Sequence, residues 1–344
     1  MDSGPDGFVR DLWYVAAWSD EIDRSLCNLF ILGRPVVVFR RRDGNVAALE
    51  DICPHRWLPL SMGRLHDDDV VECDYHGFRF DPTGRCVGVP SQREVQPLAR
   101  VRSYPIVERP PLVWIYAGDP ERAAPSRIPE MPELSDAAFR WIVCKVDIDA
   151  NYLLMHENVM DQTHFHHLHR DFAATPEWDR GQIEVETKNG RVVRRHVTLA
   201  APAPPVAAFA GIEPGSPVDS ESVGTFVQPG LNTSTTTHRA RDSGQIGVLQ
   251  TFHIFSPRSP TRTRYSIAVG TNFPAANLAK LEAGVRKAML EDKTAVEAVQ
   301  RTRTAFAPAL EVSVRADRAG LEARRLVREL IQAEAASREK FRER

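Results

Sequence analysis

The first third of the chain alternates short apolar, β-branched runs with turn residues, a pattern that predicts antiparallel strands. Residues 34–51, RPVVVFRRRDGNVAALED, are apolar on both sides of Asp43-Gly44, which is typical of a hairpin. Residues 78–90 repeat this arrangement around a second glycine-containing turn. The pattern predicts a small all-β domain over residues 1–118.

The rest of the chain contains hydrophobic residues at both strand-like and helix-like spacing. Residues 119–140 are rich in proline and charge and predict a linker. Residues 141–344 then predict an α+β domain, so the expected fold class is α+β. Strand-like runs in this part are residues 139–149, 183–197, 248–255 and 264–273. Residues 151–172 and those after Leu278 are helix-like. Residues 201–220, rich in proline and small side chains, are expected to form a long mobile loop that covers a pocket.

Composition narrows the class of protein. The 344 residues are 42% hydrophobic and 26% charged, as in soluble globular proteins with well-formed cores. A net charge of −2 gives no electrostatic signature of nucleic-acid or anionic membrane binding. The sequence shows no signal peptide and no run of about 18 apolar residues that could span a membrane. Five scattered cysteines argue against a disulfide framework, so we expect a cytoplasmic protein.

Two of the cysteines stand close before histidines, as Cys53-x-His55 and Cys73-x-x-His76. Two thiolates and two imidazoles suggest a closed metal site. Zinc is one candidate, but its usual motifs place like ligands in the same loop, whereas each loop here supplies one of each kind. This arrangement suits a [2Fe–2S] cluster in which the cysteines bind one iron and the histidines bind the other. We therefore predict these four residues as cluster ligands.

The same segments resemble a known family. LEDICPHR and CDYHGFRFDPTGRC, with WYVAAW near the start, resemble the Rieske non-haem iron oxygenases, and among them the vanillate O-demethylase and dicamba monooxygenase group. The resemblance covers nearly the whole chain. It implies a Rieske domain followed by a helix-grip catalytic domain, in which an antiparallel sheet surrounds a long helix. It also implies a mononuclear Fe(II) bound by two histidines and one carboxylate, which leaves positions for O₂ and substrate.

The densest histidine patch, HENVMDQTHFHHLHRDF, contains the iron-binding pattern of that family. Asn158, Asp161, His164 and His169 match N-x-x-D-x-x-H-x4-H, and the resemblance implies that both histidines bind iron. His167 is a rival for the second ligand, since on a uniform helix it shares a face with His164, whereas His169 lies about 140° away. Ligation by His169 therefore requires a π-bulge or a helix end between the two histidines.

Residues 283–300 have the hydrophobic period of a helix, and the third iron ligand is expected on this helix. At about 100° per residue, Asp292 lies near the middle of the apolar stripe of this helix, and Glu291 lies far to its side. A carboxylate on an apolar face incurs a desolvation cost that metal ligation can offset. The resemblance agrees, because this family places its third ligand in the segment EDKxxxExxQ. Both arguments select Asp292.

Substrate contacts are predicted mainly by the resemblance. It places a substrate-binding histidine near His253, and Asn232 is a second polar candidate. We expect these two side chains to orient a polar group of the substrate, such as a carboxylate. His196 and His238 are interpreted as ordinary surface or strand residues.

Asp161 is expected to connect the two metal sites. Its carboxylate can reach the free N–H of His164 three residues later, which would leave the second oxygen free. The resemblance implies head-to-tail homotrimers in which an aspartate at this position meets a Rieske histidine of the next subunit. We therefore predict that His76 of one chain contacts Asp161 of its neighbour.

The implied reaction is oxygenation. By the resemblance, a reductase, alone or with a ferredoxin, passes electrons from NADH to the cluster and on to Fe(II), where O₂ is activated. We predict a monooxygenase that removes an O- or N-methyl group from a small aromatic compound, releasing it as formaldehyde. A ring-hydroxylating dioxygenase, which shares every metal ligand, is the alternative. A non-catalytic Rieske electron carrier is a more distant one.

Overall fold

The computed structural model describes residues 7–306 and 310–342, which divide into two compact units. The first unit comprises Phe8–Glu130 and Ser256–Ser259. The second comprises Met131–Phe255, Pro260–Phe306 and Leu310–Arg342, together with Gly7. The division after Glu130 falls inside the predicted linker, which forms three short 3₁₀ turns. The ends of the predicted domains, at residues 1–6 and 343–344, lie outside the described residues.

The first unit is built from short antiparallel strands. Its strands are β1 (Trp13–Trp18), β2 (Cys27–Ile31), β3 (Arg34–Arg40), β4 (Val46–Glu50), β5 (Arg64–Leu65), β6 (Val71–Glu72), β7 (Arg79–Phe80), β8 (Cys86–Gly88), β9 (Ile106–Arg109) and β10 (Leu112–Tyr116). They form three sheets, in the orders β1-β10-β9, β2-β3-β4 and β5-β6-β7-β8. The hairpin predicted at Asp43-Gly44 joins β3 to β4, with Gly44 at a φ of +85° that glycine adopts without strain.

The second unit contains a seven-stranded antiparallel sheet. Its strands are β11 (Arg140–Ile148), β12 (Gln182–Lys188), β13 (Arg191–Pro202), β14 (Pro217–Gln228), β15 (Leu231–Ala240), β16 (Ile246–Ser259) and β17 (Arg262–Thr271). The order across the sheet is β11-β17-β16-β15-β14-β13-β12. Apart from the long connection between β11 and β12, each of these strands pairs with the next one along the chain.

Four helices accompany this sheet: α1 (Tyr152–Met160), α2 (His164–Leu168), α3 (Leu278–Phe306) and α4 (Arg318–Arg342). The long helix α3 packs against β11 and α1. Its buried side chains form the apolar stripe seen in the sequence: Leu281, Val285, Met289, Asp292 and Val296. An antiparallel sheet with a long helix against it confirms the predicted α+β, helix-grip architecture. Within the described residues, no helix is both long and apolar enough to span a membrane.

The single helix expected over residues 151–172 is instead two short ones, α1 and α2. They are separated by Asp161-Gln162-Thr163. Oδ1 of Asp161 accepts hydrogen bonds from both the backbone N–H and the hydroxyl of Thr163, at 2.8 Å each. Such local side-chain bonds compete with helical ones, which explains the interruption.

The long loop expected over residues 201–220 is shorter than predicted, because its two ends belong to strands. Strand β13 continues to Pro202 and β14 begins at Pro217, so residues 203–216 alone connect them. This connection includes a 3₁₀ turn, Pro205–Ala210, and it contributes to a small core made of Ala203, Ala207, Ile212, Val218 and Ala240. Small side chains are common in loops, but here the alanines of this segment pack in the core.

Candidate metal centres and substrate cavity

The loop that carries Cys53 and His55 is held by its own backbone. The N–H of Cys53 donates to the carbonyl of Leu58, and the N–H of Trp57 donates to the carbonyl of Cys53, both at 2.9 Å. Just before the loop, the buried carboxylate of Asp51 accepts hydrogen bonds from the N–H and hydroxyl of Ser61, at 2.6 Å each. The loop is therefore fixed from within and from its base.

The loop that carries Cys73 and His76 repeats this arrangement. The N–H of Cys73 donates to the carbonyl of Phe78 at 2.8 Å, and the N–H of Gly77 donates to the carbonyl of Cys73 at 2.9 Å. Gly77 has a φ of +70°, and a Cβ there would lie 2.7 Å from Cγ of Pro90. Glycine is therefore required at this turn.

The two loops bring all four predicted cluster ligands together. Both cysteines are buried, and the rings of His55 and His76 lie with their centroids 4.4 Å apart. Burial raises the pKa of the Cys53 thiol to about 11, with a smaller contribution from the neighbouring Cys73. Two adjacent thiols in this environment become thiolates readily only beside a cation.

A buried ring nitrogen without a hydrogen-bond partner also fits the predicted cluster. Nδ1 of His55 is buried and has no hydrogen-bond partner among the described residues. A buried nitrogen without a partner costs free energy that a bond to a metal would remove. Two thiols and two imidazoles form the ligand set of a Rieske [2Fe–2S] centre.

The second site lies where α2 meets α3. His164 begins α2, and His169 caps its C-terminus with φ −107° and ψ 44°, so the helix ends between them, as ligation by His169 requires. Nε2 of His169 lies 3.2 Å from Oδ1 of Asp292, and Nε2 of His164 lies 3.5 Å from the same oxygen. His167 is exposed and contacts Asp179 instead, at 3.1 Å. The structure thus groups His169, rather than His167, with the other two predicted ligands.

In both His164 and His169 the ring is held in orientation by a contact of Nδ1. Nδ1 of His164 lies 2.7 Å from the backbone carbonyl of Asp161, and Nδ1 of His169 lies 2.7 Å from Oε2 of Glu291. Each contact leaves Nε2 free for a metal. The expectation that the carboxylate of Asp161 holds His164 is wrong, because that carboxylate binds Thr163 and the backbone carbonyl takes its place. Glu291 was missed because the apolar-stripe argument considered only the buried face.

The pKa values of the two histidines are shifted in opposite directions. Burial lowers the pKa of His164, although Asp292 opposes the effect, so the ring is neutral at neutral pH. Burial acts in the same way on His169, but the carboxylates of Asp292 and Glu291 outweigh it and raise its pKa. Nε2 of His164 is buried without a hydrogen-bond partner among the described residues. Two imidazoles and one carboxylate fit a mononuclear Fe(II).

Asn158 and His253 lie around this site as the sequence predicted. Nδ2 of Asn158 donates to Oδ1 of Asp292 at 3.0 Å. Nδ1 of His253 lies 2.8 Å from the hydroxyl of Tyr265. Burial lowers the pKa of His253 to about 4, so this ring is neutral at neutral pH.

A cavity in the second unit opens beside the three predicted iron ligands. It encloses about 950 Å³ of empty space, part of it continuous with solvent. Its walls come from α2, α3 and the sheet, and they are largely apolar. Val206, from the connection between β13 and β14, contributes to the lining. The polar lining residues include Asn158, Gln162, Trp178, Ser234, Thr236, His238, Thr251, His253 and Tyr265.

One sequence-based interpretation is wrong in this region. Asn232 does not line the cavity, because its side chain is buried and its Oδ1 accepts a hydrogen bond from Nδ1 of His156 at 2.7 Å. His196 and His238 are strand residues, on β13 and β15, but both are buried rather than at the surface, and His238 lines the cavity. The alternation of Ser234, Thr236 and His238 along β15 would have placed all three on one face.

Comparison with known proteins finds two family matches along the chain. Residues 12–105 match the Rieske [2Fe-2S] domain, and residues 148–333 match the vanillate O-demethylase oxygenase C-terminal domain. The oxygenase component of dicamba O-demethylase from Stenotrophomonas maltophilia is 33% identical over 342 residues, which is 96% of this chain and 99% of the relative.

Solved structures agree. Dicamba monooxygenase bound to 3,6 dichlorosalicylic acid superposes with a TM-score of 0.88 at 31% identity, covering 96% of this chain and 99% of that one. Dicamba monooxygenase with non-heme iron and dicamba gives a TM-score of 0.81 at 30% identity, with the same coverage. The chain therefore belongs to the Rieske non-haem iron oxygenases, and it is the oxygenase component of a monooxygenase in the group that contains the vanillate and dicamba O-demethylases.

Proposed function

We propose that this oxygenase removes an O- or N-methyl group from a small aromatic compound by hydroxylating the methyl carbon. The grouping of His164, His169 and Asp292 at the wall of a largely apolar cavity carries this proposal. Iron bound by these three side chains supplies the activation of O₂. The similarity to dicamba O-demethylase over nearly the whole chain supports demethylation rather than attack on the ring.

The residues of this chain have distinct roles in the proposal. Cys53, His55, Cys73 and His76 hold the cluster, and the iron ligands hold the mononuclear centre. Asn158 positions Asp292 by donating to its Oδ1. The ring of His253 is fixed by its contact with Tyr265. It forms a hydrogen bond with a polar group of the substrate and so places the methyl group at the iron.

Electrons must come from outside the chain. We propose a reductase that draws them from NADH, alone or through a ferredoxin, and a cytoplasmic location in keeping with the scattered cysteines of the sequence. We also propose that the chain forms a homotrimer in which His76 of one subunit meets Asp161 of the next. An exposed His76 and a half-buried Asp161 support this contact, because both side chains can reach a partner.

Product analysis tests the function. The protein is incubated with a generic reductase, NADH, ¹⁸O₂ and a panel of methoxybenzoates and N-methylated aromatics. We expect formaldehyde and the demethylated compound in equal amounts, with one oxygen atom of O₂ used per methyl group. A cis-diol carrying two labelled atoms would contradict the proposal and indicate a ring-hydroxylating dioxygenase.

Metal analysis separates the enzyme from an electron carrier. We expect three irons per chain, of which Asp292→Ala removes one while the red-brown colour of the cluster remains. A colourless native protein that contains stoichiometric zinc would contradict the Rieske assignment, and a coloured one with two irons would indicate a carrier.

A further inference from the structure

The short helix α2 carries two histidines that the iron site does not use. His166 and His167 lie between the two predicted iron ligands, His164 and His169, but they belong to a separate group of side chains. The side chain of His167 is 66% exposed, and the ring centroids of His166 and His167 are 5.1 Å apart. Neighbouring imidazoles at a surface are suitable ligands for a transition-metal ion.

The 3₁₀ turn Pro176–Arg180 brings a carboxylate to these rings. The turn packs against α2, and Oδ2 of Asp179 lies 3.1 Å from Nε2 of His167. His166, His167 and Asp179 each offer one ligand atom, and these three atoms all lie within 4.8 Å of one another. We call these three residues the outer cluster. His167 and Asp179 are exposed and His166 is half-buried, so an ion in solution can reach the cluster.

The spacing of the outer cluster fits Zn²⁺. Zinc binds imidazole nitrogens and carboxylate oxygens at about 2.0–2.2 Å, so two ligand atoms of a tetrahedral site are about 3.4 Å apart. The separation between His167 and Asp179 is already close to this value. The ligand atom of His166 has to move by at most about 1.4 Å, the difference between 4.8 and 3.4 Å, which a small rotation of its side chain supplies.

Ligand type and charge also favour this ion. Imidazole ligands suit zinc, copper, nickel and iron, whereas magnesium and calcium prefer sites made of oxygen ligands alone. A second carboxylate lies nearby, that of Glu177. Hydrogen bonds with its own backbone and with Thr175 lower the pKa of Glu177, with smaller contributions from Arg180 and His166. Its negative charge attracts a cation to the outer cluster, and Arg180 offsets part of this attraction.

The outer cluster has its own contacts, but it adjoins the wall of the cavity. The iron-binding rings are oriented by the carbonyl of Asp161 and by Glu291, and neither contact involves the outer cluster. Helix α2 and the turn Pro176–Arg180 both line the cavity, through Phe165 and Trp178 respectively. An ion bound by the outer cluster would therefore link two segments of this wall.

We propose that His166, His167 and Asp179 bind one Zn²⁺ at the surface, and that the bound ion restrains the cavity wall by linking α2 to the turn Pro176–Arg180. Water fills the fourth position, because three protein ligands leave it open. The iron site does not require this ion. Local opening of the wall, however, becomes dependent on the concentration of zinc.

Equilibrium dialysis against Zn²⁺ tests the site in protein that carries both iron centres, with iron content measured in the same samples. We expect one zinc per chain with no loss of iron. His166→Ala, His167→Ala and Asp179→Ala should each weaken zinc binding about tenfold or more, since even the loss of a partner that orients a metal ligand typically costs about 10- to 100-fold. Asp171→Ala, which removes an exposed carboxylate that pairs with Lys287, is the control and should bind zinc like the unaltered protein.

Amide hydrogen exchange tests the link between the two segments. Saturating zinc should slow exchange over residues 164–180 about threefold or more, because mass action favours the closed form that binds the ion. His167→Ala should show no such change. Peptides from the first unit should exchange at the same rate with and without zinc in both proteins.

Three results would overturn the zinc site: zinc binds only where it displaces iron, any of the three alanine variants binds zinc as tightly as the unaltered protein, or bound zinc leaves exchange over residues 164–180 unchanged. If an alanine variant loses its iron, His167→Gln and Asp179→Asn replace it under the same criteria.

Discussion

The carboxylate of Glu291 lies 2.7 Å from Nδ1 of His169 and fixes which nitrogen of that ring faces Asp292. Carboxylates that hold a metal-binding histidine in this way typically contribute about 10- to 100-fold to metal affinity. We predict that Glu291→Ala weakens iron binding by this factor, as measured by competition with a chelator, while the absorbance of the cluster is unchanged.

Glu282→Ala is the matched control for that prediction, since Glu282 lies on the same helix and pairs only with the exposed Arg286 among the described residues. Its iron affinity should match that of the unaltered protein. Equal affinities in the Glu291 and Glu282 variants would show that the contact with His169 is incidental.

The buried ring of His156 makes stability depend on pH. Its Nε2 accepts from the N–H of Gly230 at 3.0 Å, and its Nδ1 donates to Asn232, so the neutral form is held. Burial lowers its pKa to about 3, with a further contribution from the nearby His253. Because the pKa is lower in the folded protein, the unfolded chain takes up the proton first as the pH falls. The contribution of neutral His156 to the free energy of unfolding is therefore fully present above about pH 6.5, and it is lost as the pH drops towards the pKa of the folded protein.

We therefore predict that His156→Gln flattens this pH dependence. Between pH 7.5 and pH 5 the unaltered protein should lose about 2 kcal/mol more of its free energy of unfolding than the variant, measured by urea denaturation. His196, His238 and His253, whose pKa values are lowered to about 4 by burial, contribute in the same direction in both proteins. Equal slopes in the two proteins would mean that His156 is not titrated on unfolding.

At the scale of elements, the pattern of hydrophobic residues predicted the helices and strands that bury apolar side chains. The stripe of α3 placed Asp292 among buried apolar residues, and the Asp43-Gly44 turn specified a hairpin. Strands β14 and β15 were not predicted, because their buried residues include serines, an asparagine and a histidine rather than apolar side chains alone. Three polar residues of β15, Ser234, Thr236 and His238, line the cavity, so the feature that hid this strand also shapes the candidate site.

The long loop predicted over residues 201–220 is shorter than expected for a related reason. Alanine and proline are typical of loops, but here the alanines pack closely around Ile212, which is 2% exposed. We predict that Ile212→Ala lowers the free energy of unfolding by about 2–4 kcal/mol, as expected for a packed core position. Leu199→Ala, at a residue 63% exposed on β13, is the control. A loss of less than about 0.5 kcal/mol at Ile212 would indicate that the connection is mobile.

At the scale of the whole molecule, the open question is how electrons reach the iron. Oδ1 of Asp161 accepts both hydrogen bonds from Thr163, so Oδ2 is left for another donor. If Nδ1 of His76 binds the cluster, its Nε2–H can donate to that oxygen on a neighbouring subunit. A head-to-tail contact of this kind forms a ring if its rotation closes, and in the proposed homotrimer it would close after three copies.

Asp161→Asn tests this bridge with little disturbance, because the amide oxygen can still accept from Thr163 while the outward acceptor becomes a donor. We predict that the variant keeps both metal centres and the trimer, measured by iron content and light scattering. Its cluster should stay reduced when substrate and O₂ are added, because the acceptor for the Nε2–H of His76 is lost. Asp179→Asn, at the exposed partner of His167, should reoxidise normally. Normal turnover by Asp161→Asn, or activity in a monomer, would contradict the bridge and require an electron path within one chain.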